Sequence, residues 1–266
     1  TELCVTLLSS LPSADRLKLI LVNKYTALHW ATYSGRTETV SGILNCLTAD
    51  QQLQLLFTQD KFGDTALHDA VREENTETVK GLLDDLAPEQ QLKLLSIQNS
   101  NGNTALHYAA MKGHTETVKS LLDNLTPDQQ LQLLCTQDRN GDTALHSAAK
   151  EGRTETVKIL LNNLPPEQQL DLLSTQNRFG DTVLHVSAHR GHTETVRSLL
   201  HNLRPEQQLY LLSVENYVGK TASQFAANNK QKEIVEMLED MSSIWILELI
   251  IVSCNTSCIL SQQVDG

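Results

Sequence analysis

The stretch Asp138-Arg-Asn-Gly-Asp-Thr-Ala-Leu-His146 decides the fold, because its second half recurs along the chain. Thr-Ala-Leu-His begins at Thr26, Thr65, Thr104 and Thr143, a variant Thr-Val-Leu-His begins at Thr182, and a changed copy, Thr-Ala-Ser-Gln, begins at Thr221. Successive copies are 39 residues apart, and Thr-Glu-Thr-Val recurs at the same interval from Thr37 to Thr193. A period this regular indicates a stack of similar units.

One unit can be read outward from this stretch. Gly141 stands where a turn requires a positive φ. Thr143 is predicted to open a short helix from Ala144 to Lys150, which Gly152 ends. Thr154 is predicted to cap a second helix, whose apolar stripe is formed by Val157, Leu160, Leu161 and Leu164.

A third, shorter helix is predicted from Pro166, because proline fits the first turn of a helix, where its missing N–H is not needed. Leu170, Leu172 and Leu173 supply its apolar face, and a Gln pair recurs near its start in every full copy. All prolines of the chain fall at such starts, at positions 12, 88, 127, 165, 166 and 205.

The pattern turn-Gly-x-Thr-x-Leu-His-x-Ala-Ala-x-x-Gly-x-x-Glu-x-Val-x-x-Leu-Leu resembles the ankyrin repeat over about residues 23–240. Two departures are an Ala where the family has Pro after the Thr, and about six extra residues beyond the usual repeat of about 33. A three-helix armadillo-type array is the alternative, but the Gly turn and Thr-x-Leu-His favour ankyrin. The resemblance implies an all-α, ankyrin-repeat-type α-solenoid with a short third helix in each repeat.

The expected organisation follows from this register. Residues 1–22 align with a partial repeat that has only the second and third helices, so the chain is expected to begin inside a repeat. The array spans 23–240, and residues 241–266 form a hydrophobic tail of unknown role whose apolar run is short for a membrane helix. The repeats are expected near 23–59, 60–98, 99–137, 138–176, 177–215 and 216–240.

Composition limits the classes of partner. The 266 residues carry a net charge of −11, which argues against nucleic acid and anionic lipid as partners. The five cysteines are an odd number without a disulfide framework, which indicates free thiols in a reducing compartment. We therefore expect an intracellular, cytoplasmic protein without a membrane span.

The recurring histidines are the most obvious candidates for metal ligands, and they lie at positions 29, 68, 107, 146 and 185. Stacked helices lie about 8–10 Å apart, whereas zinc ligands lie about 2 Å from the metal, so a ladder of histidines cannot share one ion. Each His is instead predicted to hydrogen-bond locally and to tie one repeat to the next, as in ankyrin repeats. No phosphate-binding loop, dinucleotide fingerprint or hydrolase motif occurs. We expect no catalytic residue, no metal, no cofactor and no small-molecule substrate.

Residues that differ between copies are free to serve a partner. They concentrate at the turn tips and toward the ends of the first helices, which in ankyrin repeats project from the fingers and the inner groove. The prediction is a non-catalytic scaffold or adaptor for another protein. The alternative is the targeting arm of a larger enzyme, channel or membrane-tethered protein. The candidate partner-binding residues are Trp30, Tyr33, Lys61, Phe62, Arg72, Tyr108, Met111, Arg139, Asn140, Lys150, Arg178, Phe179, His189 and Tyr217.

Overall fold

A computed structural model describes residues 6, 10–12, 15–16, 25–162 and 164–244. Every regular element among them is an α-helix, so the predicted all-α class is confirmed. The partial repeat predicted for 1–22 lies largely outside the described residues, and so does the tail from 245 onward. Within the described part of the chain, no helix has both the length and the apolar character needed to cross a membrane.

The chain divides into two compact units, Thr1–Leu164 and Pro165–Gly266. The described part of the first unit contains α1 Ala27–Tyr33, α2 Thr37–Asn45, α3 Ala49–Leu56, α4 Ala66–Arg72, α5 Thr76–Leu83, α6 Pro88–Leu95, α7 Ala105–Lys112, α8 Thr115–Leu122, α9 Pro127–Leu134, α10 Ala144–Lys150 and α11 Thr154–Asn162. The second unit contains α12 Pro166–Ser174, α13 Val183–Arg190, α14 Thr193–Leu200, α15 Pro205–Ser213 and α16 Ala222–Asn228, followed by helical residues 232–244.

Helices of the same kind stack on one another inside each unit. In the first unit α1, α4, α7 and α10 form one row of first helices, and α2, α5, α8 and α11 form a second row. In the second unit α13 packs on α16, and α12 packs on α15. The motif leucines are at most 1% exposed in all five copies, at positions 28, 67, 106, 145 and 184. The core therefore runs between the rows, as the apolar stripes predict.

The motif histidine links neighbouring repeats. His68 Nδ1 accepts the N–H of Thr65 at 3.2 Å, and its Nε2 donates to the carbonyl of Asn103 in the next turn at 3.1 Å. His29, His107 and His185 make the same pair of bonds to their own Thr and to the next turn. The predicted role of these four side chains is thus seen directly.

The turns before the first helices depend on glycine. Gly141 has φ +77°, as its place in the turn predicts. Gly102 has φ +80°, and a Cβ there would lie 2.6 Å from the backbone nitrogen of Arg139 in the next turn. Any larger residue at Gly102 would push successive turns apart. Both the turn conformation and the distance between stacked turns therefore require glycine at this position.

The recurring Gln pair attaches the third helix to the repeat. In α9 the first member, Gln129, accepts the N–H of Thr126 at 3.0 Å and so closes a capping box. The second member, Gln130, donates to the carbonyl of Leu122 at the end of α8 at 3.0 Å. Gln91 and Gln208 make the corresponding bond to Leu83 and Leu200. The pair satisfies backbone groups at two helix ends, which is a structural role.

The predicted cap of the second helix is wrong. Thr154 is the first residue of α11 rather than the residue before it. The corresponding helices are preceded by Arg36, Asn75, His114 or His192, none of which makes a side-chain cap bond. The threonine hydroxyls instead bond sideways, because they face the next repeat. Thr37 and Thr76 reach Thr78 and Thr117 at 2.8 Å.

We expect His68→Gln to weaken the first unit and to reduce its pH dependence. Glutamine can accept the N–H of its own Thr, as Gln224 does at 3.1 Å, but it lacks the second ring nitrogen that reaches Asn103. At about pH 7.5 the loss should be about 1–3 kcal/mol of unfolding free energy. Urea unfolding measures it.

The pH dependence has a defined sign. Burial lowers the pKa of His68 to about 4 in the folded state, against 6.5 for an unperturbed histidine. The neutral ring therefore stabilises the fold fully above about pH 6.5, and this stability is lost as the pH falls toward 4. The difference between wild type and His68→Gln should shrink over that range. The exposed His201 provides a control, since His201→Gln should stay within about 0.5 kcal/mol. A constant difference at every pH would contradict the assignment.

In the second unit, Gln168 lacks the hydrogen bond that the first glutamine of the other pairs makes, and the sequence explains why. The side-chain oxygen of Gln168 is buried and has no hydrogen-bond partner. In α3, α6, α9 and α15 the corresponding oxygen accepts the N–H of the residue before the helix. The residue before α12 is Pro165, and proline has no N–H to donate to Gln168.

Replacing Pro165 by Thr should stabilise the second unit. The new N–H would pair with Gln168, and the new hydroxyl could accept the N–H of the same residue, as Thr126 does at 3.3 Å. An unpaired buried acceptor costs about 1–3 kcal/mol, while losing proline costs about 0.4–1 kcal/mol. The expected net gain is about 1 kcal/mol. Pro165→Ala, which supplies only the N–H, should fall between the two in urea unfolding. A less stable Pro165→Thr protein would refute this explanation.

Candidate protein-binding surface

The turn tips present large side chains to solvent. Phe62, Phe179 and Tyr217 are 60%, 65% and 71% exposed. The backbone beneath them is fixed: Asp60 accepts the N–H of Phe62 at 2.8 Å and the N–H of Asp64 at 2.9 Å. Successive tips are also joined, because Ser100 N–H donates to the carbonyl of Phe62 at 2.8 Å. The predicted tip residues Lys61, Arg139, Asn140 and Arg178 are likewise exposed.

Two aromatic candidates lie on α1 of the first unit. Trp30 is 61% exposed and Tyr33 is 46% exposed. The Trp30 ring packs edge-to-face against Tyr25, with 5.2 Å between the ring centroids. Trp30 is thus oriented by a neighbour while most of its surface stays accessible, which suits a preorganised contact.

The side chains of Arg72 and Tyr108 make contacts inside the first unit. Arg72 pairs with Asp64 and with Asp69, and its guanidinium lies 4.9 Å from the centroid of the Tyr108 ring. The Tyr108 hydroxyl accepts from Asn99 at 2.9 Å. Both side chains are only partly exposed, so they stabilise the stack as well as border its surface.

The remaining first-helix candidates differ from one another. Met111 is half-buried, and its carbonyl accepts from Arg153 at 3.2 Å. Lys150 is half-buried at the end of α10. His189 in the second unit stacks on Phe225, with 4.4 Å between ring centroids, and contacts Asn229. The structure therefore leaves the turn tips and α1 as the most accessible candidates.

Asp69 is a feature that the sequence interpretation missed. Its side chain is 3% exposed, and one carboxylate oxygen has no hydrogen-bond partner. Burial raises its pKa to about 7, with smaller contributions from the carboxylates of Asp64 and Asp60, while Arg72 opposes the rise. The available signal was a charged residue at a position that is Trp, Tyr, Ser, Val or Phe in the other copies.

Asp69→Asn should stabilise the first unit at neutral and higher pH. A carboxyl with a folded pKa of about 7 and an ordinary value of 3.8 costs stability when ionised, and this cost disappears as the pH falls to about 4. We expect a gain of about 2 kcal/mol near pH 8 and none near pH 4, by urea unfolding. The exposed Asp85→Asn is the matched control and should change little. A loss of stability near pH 8 would mean that the charge is needed by Arg72.

Charge is distributed unevenly in both units. Cations on the second helices pair with glutamates one turn earlier, as in Lys80–Glu77 at 3.0 Å and Lys119–Glu116 at 2.7 Å. Arg197–Glu194 follows the same pattern at 3.7 Å. At the tips, Lys61 lies over the Phe62 ring at 4.8 Å instead of pairing with a carboxylate. The tips therefore combine aromatic surface with available positive charge.

Metal-ligating groups do not converge in the part of the chain that the structure describes. No group of three or more His, Cys, Asp or Glu side chains there could hold an ion. The motif histidines His29, His68, His107 and His185 use both ring nitrogens in hydrogen bonds to the protein.

Comparison with known proteins agrees with this architecture. A family model described as "Ankyrin repeats (3 copies)" matches residues 1–93 and 88–172, and one described as "Ankyrin repeats (many copies)" matches 145–200. Among solved structures, the ankyrin repeat protein EF0377 is similar with a TM-score of 0.62 and 27% identity, over 80% of this chain and 96% of that one. A search of curated proteins gives no match.

Repeats of this fold form a class of proteins that generally bind other proteins. The matched residues make up well over half of the sequence, so this chain belongs to the ankyrin repeat family.

Proposed function

We propose that this chain is a non-catalytic protein-binding module that contacts its partner through the turn tips and the adjoining surface of the first helices. The observation that carries the proposal is the exposure of Phe62, Phe179 and Tyr217 on turns that are fixed by internal hydrogen bonds. Large apolar side chains that lie together on an exposed surface mark interaction sites, and rigid ones lose little entropy on binding.

The contrast between the two sides of each repeat supports the same assignment. Four of the second helices, α5, α8, α11 and α14, carry a repeated Glu–Lys or Glu–Arg pair on a solvated surface. The tips carry a different pair of residues in each copy, such as Lys61-Phe62 and Arg139-Asn140. A conserved backbone with changing side chains can present a specific surface, whereas a repeated charge pair cannot discriminate between partners.

The intracellular, cytoplasmic location remains a prediction from the cysteines. Cys135 is exposed directly after the end of α9. An exposed thiol persists in a reducing compartment, which favours action inside the cell.

The test compares three forms of the full chain as bait in affinity capture, followed by binding measurements with each purified candidate. The variant carries Phe62→Ala, Arg139→Ala, Phe179→Ala and Tyr217→Ala. The matched control carries Lys80→Ala, Lys119→Ala, Arg197→Ala and Tyr210→Ala, which are exposed residues away from the tips. We expect a partner that binds wild type and control equally and the variant at least about tenfold more weakly.

All three forms should have the same helical content and similar unfolding midpoints, because none of these side chains is buried. A partner that binds the tip variant as tightly as wild type would show that the working surface is elsewhere. Catalytic turnover by the purified chain would contradict the non-catalytic assignment.

A further inference from the structure

The second unit presents aromatic and basic side chains together on two successive turns. Phe179, Tyr217 and Val218 are 65%, 71% and 71% exposed. Arg178 precedes Phe179 and is exposed, and Lys220 follows on the second turn and is partly exposed. We call these five residues the tip patch. In it, exposed aromatic surface and positive charge adjoin on successive turns.

The tip patch is held in one conformation by buried amides. Asn177 accepts the N–H of Phe179 at 2.9 Å, and Asn216 accepts the N–H of Val218 at 3.2 Å. The two turns are joined to each other because Tyr217 N–H donates to the carbonyl of Phe179 at 3.1 Å. The exposed rings therefore stand on a fixed backbone, so binding does not have to order it.

The positive charge of the tip patch is available. The ion pairs seen among the described residues of this unit use Arg197 with Glu194 and Arg204 with Glu167, all on the second and third helices or beside them. One carboxylate on these turns, Asp181, is 7% exposed and accepts from Asn216 at 2.8 Å. Glu215 is exposed, so the solvent-accessible charges on these two turns are two cations, Arg178 and Lys220, against one carboxylate.

We infer that the tip patch binds an acidic protein segment that carries an apolar or aromatic side chain among its carboxylates; this inference rests on the proposed function. The apolar side chain would cover Phe179, Tyr217 and Val218. A carboxylate would pair with the planar guanidinium of Arg178, and a second one with Lys220. The attraction is local: the overall charge of −11 repels an acidic partner, and the two cations of the tip patch would attract its carboxylates to this one place.

Aromatic rings beside cations also suit single-stranded nucleic acid. A nucleic acid carries a phosphate at every nucleotide and needs a broad excess of positive charge, whereas the tip patch has two cations on a chain of net charge −11; a peptide segment needs to place only one or two carboxylates there. The protein segment is therefore the better match, and an oligonucleotide belongs among the probes.

The experiment selects peptides from a random displayed library with the full chain and measures their affinity by fluorescence polarisation. We expect the selected peptides to place Asp or Glu next to Trp, Phe or Leu. Phe179→Ala with Tyr217→Ala should weaken their binding by about tenfold or more. Arg178→Glu with Lys220→Glu should weaken it similarly and remove most of its salt dependence.

Two matched controls lie on the third helix of the same unit and at its start. Tyr210 is 52% exposed on α15, and Arg204 has a 67% exposed side chain. Tyr210→Ala and Arg204→Glu should leave peptide affinity unchanged. Unfolding midpoints of all variants should match wild type, because every substituted side chain is at least partly exposed.

The possible results separate this inference from the proposed function. Peptides that need Phe179 and Tyr217 but lack carboxylates, or that tolerate the Arg178→Glu, Lys220→Glu protein, would overturn the acidic partner while keeping the binding module. Peptides that bind the double alanine protein normally, or selection of no peptide, would overturn the patch itself. Binding of a fluorescein-labelled oligothymidine through the same residues would replace the protein segment by nucleic acid.

Discussion

The neutral, buried imidazole of the motif His, seen at His29, His68, His107 and His185, is the constraint on which the stacked repeats inside each unit depend. One ring nitrogen accepts from the threonine that begins the same helix, and the other donates to a backbone carbonyl of the following turn. A buried ring with two unpaired nitrogens would cost several times what either bond contributes, so both partners must stay in place. Within each unit, the turns at Asp64, Asn103, Asp142 and Lys220 are therefore positioned by the repeat before them.

The exposed tips follow from this constraint. Because the imidazole, the turn glycine and the turn Asp or Asn fix the backbone, tip side chains such as Phe62 and Tyr217 do not contribute to the core. These residues differ from copy to copy, while the backbone bonds of the turn recur. The added third helix is attached in a similar way, through a Gln pair that bonds to two helix ends. The residues that hold the repeats together are thereby different from the exposed tip residues that we propose bind a partner.

Much of this could be predicted from the sequence, because the copies of the repeat can be compared with one another. Positions that stay constant between copies have structural roles: the motif Leu is buried, and the motif His is buried and hydrogen-bonded. Pro166 begins the third helix as predicted. The predicted cap at Thr154 failed because threonine is common both just before a helix and as its first residue. Neighbouring repeats decide between these places, since the hydroxyl bonds sideways to the next helix in the copies at Thr37 and Thr76.

The sequence by itself determined the helical class, the repeat, the turn glycines and the residues free to vary, because these follow from local backbone chemistry and from periodicity. Only the tertiary structure decided which variable side chains are accessible. Arg72 and Tyr108 vary like Phe62, yet they pair with groups from neighbouring turns and helices, while Phe62 projects into solvent. The raised pKa of Asp69 could likewise not be predicted from the sequence, because it depends on how far the packed repeats exclude water from this carboxylate and on the charges they place near it.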